Sequence, residues 1–388
     1  MRIIVRIISV CLALSLSTAP VHAALSPDSI PQVFEGLLKN PALSNPAMVV
    51  IDNSTGLVIY QHNALSQRKP ASVMKILTAG ATIEYLDLKS SFNTSISINT
   101  EQKVIVIRGS LDPWISLDHK VARKMHRASL PYMGFSTLSA IKNANGGSLK
   151  NYKVLYSNLY SQDVANFKAF WGKRGFKPIM KSVKDDEAFM VQGAAIVSEN
   201  SPTVAEILDW TLLWSDNLLA ERLARLSAQA AGFSMDEKGI DKVFRLFLDH
   251  LQIDATKLVV ADASGLSKQN RITAQLMAEL LYKVHKEEKF APIYNSLPVG
   301  GVSGTLRNRF IATAPSAVGL IRAKTGTLNG AATLAGYVQS TDREYVFVLI
   351  ADEISKGNAA LNKARAAIDR VLGRIAAPNI PTEIIPVP

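Results

Sequence analysis

The stretch from Ser72 to Leu86 carries apolar residues on nearly every face of a helix: Val73, Met74, Ile76, Leu77, Ala79, Ile83 and Leu86. A surface helix keeps a polar face, so one that is apolar all round has to run through the middle of a domain, covered on every side. That requirement excludes minimal binding modules and demands a large core. The chain can supply one: it has 388 residues, 48% hydrophobic and 19% charged, and its 22 Gly and 17 Pro are too few for a low-complexity or collagen-like polymer.

The other segments suggest what surrounds that helix. The runs from Ala47 to Asp52 and from Gly56 to His62, joined through the turn-rich Asp52-Asn53-Ser54-Thr55-Gly56, read as a hairpin. Near the C-terminus come three strand-like segments, Gly319 to Thr327, Ala332 to Gln339 and Tyr345 to Ala351. A helix follows, with Leu361, Ala364, Ile368, Val371, Leu372 and Ile375 on one side, the spacing of an element that packs on a sheet. Helical patterns from Thr203 to Leu213 and from Leu218 to Ala231 flank Trp214-Ser215-Asp216-Asn217. Residues 91–197 differ in character, with the strand-like Val104-Ile105-Val106-Ile107, a basic polar middle and the turn Asn143-Ala144-Asn145-Gly146-Gly147, and read as an insert. The expected fold is α/β: the N-terminal hairpin joins the C-terminal strands in one antiparallel sheet covered by helices on both faces, with a smaller domain inserted. The expected boundaries are 24–90 with 198–377 for the catalytic domain, 91–197 for the inserted domain and 378–388 for a loose Pro-rich tail.

Arg2 and Arg6, the apolar run from Ile7 to Leu16 and the small-residue context of Val21-His22-Ala23 have the three parts of a secretory signal peptide over residues 1–23. The run is half the length of about 20 residues that a membrane span needs. Cys11 lies inside it, so the exported chain is expected to lack disulfide and thiol chemistry. A net charge of +11 suits an anionic cell wall or membrane surface. Lys120, Arg123, Lys124 and Arg127 read as a solvated basic face; without a nucleic-acid motif, no nucleic-acid partner is expected. His119 and His126 beside Asp118 lack a third ligand at metal spacing, and no metal or organic cofactor is implied.

Ser72-Val73-Met74-Lys75 puts a hydroxyl and an amine three residues apart, on one face at the start of the buried helix. The free N–H groups of a first helical turn can stabilise an oxyanion, and a desolvated lysine can act as a base. Ser215-Asp216-Asn217 falls between two helices, where Ser and Asn commonly cap. Lys324-Thr325-Gly326-Thr327 ends a strand, where Gly permits close backbone approach and Lys with hydroxyls can hold a carboxylate. Each motif alone is commonplace. Together, in this order and in helix, loop and strand contexts, they specify acyl transfer.

At these residues the chain resembles the penicillin-recognising serine enzymes, and within them the D-alanyl-D-alanine carboxypeptidase/endopeptidase (DacB-type) group of penicillin-binding proteins. Asp262-Ala263-Ser264-Gly265-Leu266-Ser267 and Leu297-Pro298-Val299-Gly300-Gly301-Val302-Ser303-Gly304-Thr305-Leu306 resemble two further blocks of that group. The resemblance implies a β-lactamase/transpeptidase-like fold and a serine-type D-Ala-D-Ala carboxypeptidase, with endopeptidase work on cross-links as a further capacity. Its substrate would be a peptidoglycan stem peptide, β-lactams its covalent inhibitors, and its place the periplasm or cell exterior, with at most weak membrane-surface association. Ser72 would be the nucleophile and Lys75 the general base, its pKa kept low by burial and by the like charge of Lys324. Ser215 would pass a proton to the leaving amine, and Asn217 would hold the substrate amide. The N–H groups of Ser72 and Thr327 would form the oxyanion hole, and Lys324, Thr325 and Thr327, with Gly326 between them, would bind the terminal carboxylate. Ser264 and Lys268 would line a stem-peptide subsite, although Lys268 stands where many members have an arginine. Asp262 reads as structural. The long separation of Ser72 and Ser215, and the absence of Glu-x-x-Leu-Asn between Asn217 and Lys324, set the chain apart from class A β-lactamases. A serine β-lactamase or esterase on the same scaffold, or a non-catalytic wall-binding scaffold, are the alternatives.

Overall fold

The computed structural model describes residues 27–376, so the expected signal peptide and Pro-rich tail lie outside the described residues. Strands β1 (Ala47–Asp52) and β2 (Val58–His62) form the expected hairpin. Strands β3 (Ser91–Asn99), β4 (Val104–Gly109), β5 (Lys153–Ser157), β6 (Met180–Ser182) and β7 (Ala194–Thr203) follow, and β8 (Ile321–Leu328), β9 (Ala331–Gln339) and β10 (Glu344–Ala351) close the chain's strands. The first sheet has the order β2-β1-β10-β9-β8, antiparallel throughout. Strand β1 is buried on both faces, which is why it reads as an unbroken apolar run rather than an alternating one. Ala47, Val49 and Ile51 enter a core shared with the central helix, while Met48 and Val50 enter a second core against the C-terminal helix Asn358–Ala376.

The central helix runs from Lys75 to Tyr85, after a tighter 3₁₀ turn over Ala71–Met74 that carries Ser72. Every residue from Lys75 to Ile83 is buried. Its interior hydroxyls are satisfied: Thr78 Oγ1 donates to the Ala263 carbonyl (2.7 Å) and Thr82 Oγ1 to the Thr78 carbonyl (2.8 Å).

The second sheet has the order β6-β5-β4-β3-β7, with β4, β5 and β6 parallel, and packs on its own core around Ile96, Ile105, Ile107, Phe167 and Trp171. It reaches further along the chain than the expected end at 197, because β7 continues to Thr203, opposite Ser91. Pro202, just before the expected helical pattern, lies in an edge strand, and there its missing N–H is tolerated. The helix Val204–Trp214 starts after it with a reciprocal cap. Thr203 Oγ1 accepts from the Glu206 N–H, and the Glu206 carboxylate accepts from the Thr203 N–H at 2.8 Å. Thr203→Ala is expected to destabilise this junction by about 1 kcal/mol, seen as a lowered thermal midpoint; an unchanged midpoint would contradict the role of the cap.

Candidate active site

The orientation of Ser72 begins with the residue before it. Ala71 has φ +48°, a left-handed conformation that costs a residue with a Cβ about 1–2 kcal/mol. Two glycines from the other motifs hold it there. A Cβ on Gly265 (φ +80°) would lie 1.7 Å from the Ala71 carbonyl oxygen. A Cβ on Gly326 would lie 1.9 Å from Thr333 Oγ1, the group that donates to the Pro70 carbonyl at 2.9 Å, and 3.0 Å from the Ala71 Cβ. Only glycine permits both approaches, and they set Ser72 at the start of the first turn, where a residue's own N–H has no helical acceptor.

Lys75 lies one turn on, fully buried. Its Nζ donates to Asn217 Oδ1 (2.7 Å) and to the Ser264 carbonyl (2.7 Å), and lies 3.1 Å from Ser72 Oγ. The first two partners can only accept, so they occupy two N–H bonds. When Lys75 is neutral, the lone pair is left for the Ser72 hydroxyl. Burial lowers the Lys75 pKa to about 8, against the opposing pull of the Asp262, Glu221 and Asp216 carboxylates. Burial, as expected, is thus what lowers the Lys75 pKa, and the carboxylates act against it. The like-charge effect falls on Lys324, which burial first and the Lys75 charge second hold well below the ordinary lysine range.

Strand β8 supplies the facing wall. It is an edge strand, so alternate N–H groups point away from β9. The Ala323 N–H takes the outward direction, to the Pro298 carbonyl at 2.9 Å, and the two-residue period gives Thr325 and Thr327 the same outward N–H direction. A cleft of about 570 Å³ is lined by Ser72, Ser215, Thr305, Thr325, Thr327 and Arg365, among others. Thr325 Oγ1 is hydrogen-bonded to Thr305 Oγ1 (2.8 Å), and Thr327 Oγ1 accepts from Arg365 (2.8 Å). Lys324 belongs to the opposite face of the strand, is 0% exposed and donates to the Thr325 carbonyl at 3.2 Å. Ser215 ends the helix Val204–Trp214 in a left-handed conformation (φ +62°), and Asp216 caps the helix Asn217–Ala230 by accepting from the Leu219 N–H. This sharp reversal presents Ser215 to the cleft and turns Asn217 toward Lys75.

Ser72, Lys75, Ser215, Asn217, Lys324, Thr325, Gly326 and Thr327 therefore converge. Ser264 and Lys268 do not line the cleft. Ser264 is 2% exposed and contributes its carbonyl to Lys75, while Lys268 is exposed, its carbonyl accepting from Arg271 at 2.7 Å. Asp262 organises its own loop, accepting from the Gly265 and Ser267 N–H groups and from Asn270 Nδ2. Sequence reasoning missed Glu221, Thr305 and Arg365. Glu221 accepts from the Ala263 and Ser264 N–H groups (3.0 and 2.8 Å), so it fixes the carbonyl that holds Lys75; burial pushes its own pKa up. Its position one helical turn after Asn217 was the available signal.

A match to the D-Ala-D-Ala carboxypeptidase 3 (S13) family covers residues 32–134 and 155–375. A carboxypeptidase DacB of Mycolicibacterium smegmatis is 28% identical over 382 residues, 86% of this chain and 83% of that protein. A D-alanyl-D-alanine carboxypeptidase DacB of Haemophilus influenzae is 28% identical over 183 residues, 46% of this chain and 37% of that protein. The crystal structure of penicillin binding protein 4 (dacB) from Haemophilus influenzae shares the fold, with a TM-score of 0.68 at 16% identity over 89% of this chain and 98% of that one.

The position of Lys75 sets a pH dependence. If its neutral form takes the Ser72 proton, the rate at which benzylpenicillin labels the protein should rise about tenfold per pH unit below the pKa and level off above about 8. A rate independent of pH through neutrality would rule out this protonation requirement.

Proposed function

The chain belongs to the D-Ala-D-Ala carboxypeptidase 3 (S13) family, and from that premise we propose a serine-type D-Ala-D-Ala carboxypeptidase acting on peptidoglycan stem peptides after export. The observation that carries this reading is the Lys75 amine, desolvated, held by two acceptors and 3.1 Å from the Ser72 hydroxyl. Neutral Lys75 takes the Ser72 proton as Oγ attacks the carbonyl carbon between the two D-alanines. The negative charge developing on the carbonyl oxygen is met by the Ser72 and Thr327 N–H groups, fixed donors that need no reorganisation. The C–N bond breaks, and the proton held by Lys75 passes through Ser215 to the leaving amine. D-alanine departs, leaving the shortened peptide as an ester on Ser72. Water, deprotonated by the same route in reverse, hydrolyses the ester and regenerates the hydroxyl.

A β-lactam presents the same amide in a ring. Opening by Ser72 leaves the amine tethered, so acylation without rapid release is the expected outcome. The Haemophilus influenzae protein has also been crystallised with a β-lactam, which supports binding of this class here. The cleft continues past Thr327 to the C-terminal helix, room that supports a larger leaving group and with it endopeptidase action on cross-links. Among the described residues no helix is long and apolar enough to cross a membrane, in keeping with an enzyme that meets the anionic wall through its basic surface.

Release of D-alanine from a pentapeptide muropeptide tests the mechanism. Ser72→Ala and Lys75→Ala should each lower kcat by at least about 10³-fold, and the double variant should be no slower than either single one, because the two groups act as a unit. Additive losses, or a Lys75→Ala enzyme within tenfold of wild type, would refute the pairing.

A further inference from the structure

Two guanidinium groups line the cleft, and they differ in what they face. Arg309 is neutralised: its Nε and Nη2 donate to the carboxylate of Asp369, which also accepts from Thr313 Oγ1 at 3.1 Å. Arg365 is on the same helix as Asp369, one turn earlier and on the same side. Among the described residues it has no ion-pair partner. Its hydrogen bonds go to the hydroxyl of Thr327 (2.8 Å) and to Asn362 Oδ1 (3.5 Å), both uncharged. A guanidinium has five N–H donors in a planar fork that matches a carboxylate, so Arg365 keeps donors for one. Lys324, the other cation beside this wall, is fully buried.

We propose that Arg365 is a specificity-determining residue of the cleft, which receives the C-terminal carboxylate of the leaving group. This inference rests on the acyl-transfer reading above. The ligand is an acyl donor whose leaving group bears a carboxylate, and the C-terminal α-carboxylate of a D-amino acid is the natural case. The site is assembled from distant parts of the chain. Thr327 comes from the edge strand next to the nucleophile, and Arg365 from the C-terminal helix packed on one face of the sheet.

A matched pair of acyl donors separates this role from a structural one: benzoyl-D-alanyl thioglycolate, whose leaving thiol carries a carboxylate, and its methyl ester, whose leaving thiol is neutral. Thiol release is followed for wild type, Arg365→Gln and Arg365→Lys. Arg365→Gln should lower kcat/KM for the acid at least tenfold, mainly through KM, and change the ester by less than twofold. Arg365→Lys, which keeps the charge without the fork, should recover part of the loss. Equal losses on both donors, or an undiminished rate on the acid, would overturn the proposal. A wild-type protein that cleaves neither donor and takes no label from benzylpenicillin would overturn the acyl-transfer reading and this proposal with it.

Discussion

An amine held out of water beside a serine hydroxyl is the interaction around which this molecule is organised. An ammonium buried without compensation is prohibitively costly, and a lysine in contact with water is a poor base at neutral pH. Lys75 is set between these limits. Burial lowers its pKa, while two acceptors at 2.7 Å and three carboxylates at longer range keep the charged form accessible. These compensating groups come from two other segments: Asp216, Asn217 and Glu221 from the Ser215 reversal and the helix that follows it, and Ser264 and Asp262 from the loop that also contributes Gly265. The convergence of these segments thereby becomes a folding requirement as well as a chemical one, because Lys75 could not be buried unless they arrived.

The backbone follows the same logic. A helix covered on every side fixes Lys75 rigidly, and the 3₁₀ turn before it carries Ser72 in a frame defined by the left-handed Ala71. The strain at Ala71 is sustained by Gly265 and Gly326, whose missing side chains let two distant backbones press against one turn. Placing Lys324-Thr325-Gly326-Thr327 on an edge strand serves both faces. Alternate N–H groups and hydroxyls turn to the cleft, while Lys324 goes inward toward the buried Lys75. The second sheet stands apart, with its own core, and joins the catalytic sheet's helices through the capped junction at Thr203.

Much of this was legible before any coordinates. The all-round apolar pattern after Ser72 implied a buried lysine, and the turn-like Trp214-Ser215-Asp216-Asn217 between two helical patterns implied a presented serine. The C-terminal run of alternating strands implied the wall that carries Lys324. What escaped the sequence was whatever depends on contacts between distant segments. The one-turn spacing of Glu221 from Asn217 puts it on the same helix face but does not say that it anchors the Ser264 carbonyl, and nothing local to Arg365 says that its neighbour is Thr327. Nor does motif order reveal that the Asp262, Glu221 and Asp216 carboxylates pull the Lys75 pKa up against burial.

The central claim is that Ser72 is the acylated residue and that the geometry around it forms and holds an ester. Intact-protein mass followed in time after mixing with benzylpenicillin, with peptide mapping of the product, tests this most directly. A stoichiometric, long-lived adduct on Ser72, absent from Ser72→Ala, is the predicted result. Rapid loss of the drug without adduct would point to a hydrolase that turns β-lactams over, and neither adduct nor turnover would contradict the acyl-transfer mechanism altogether.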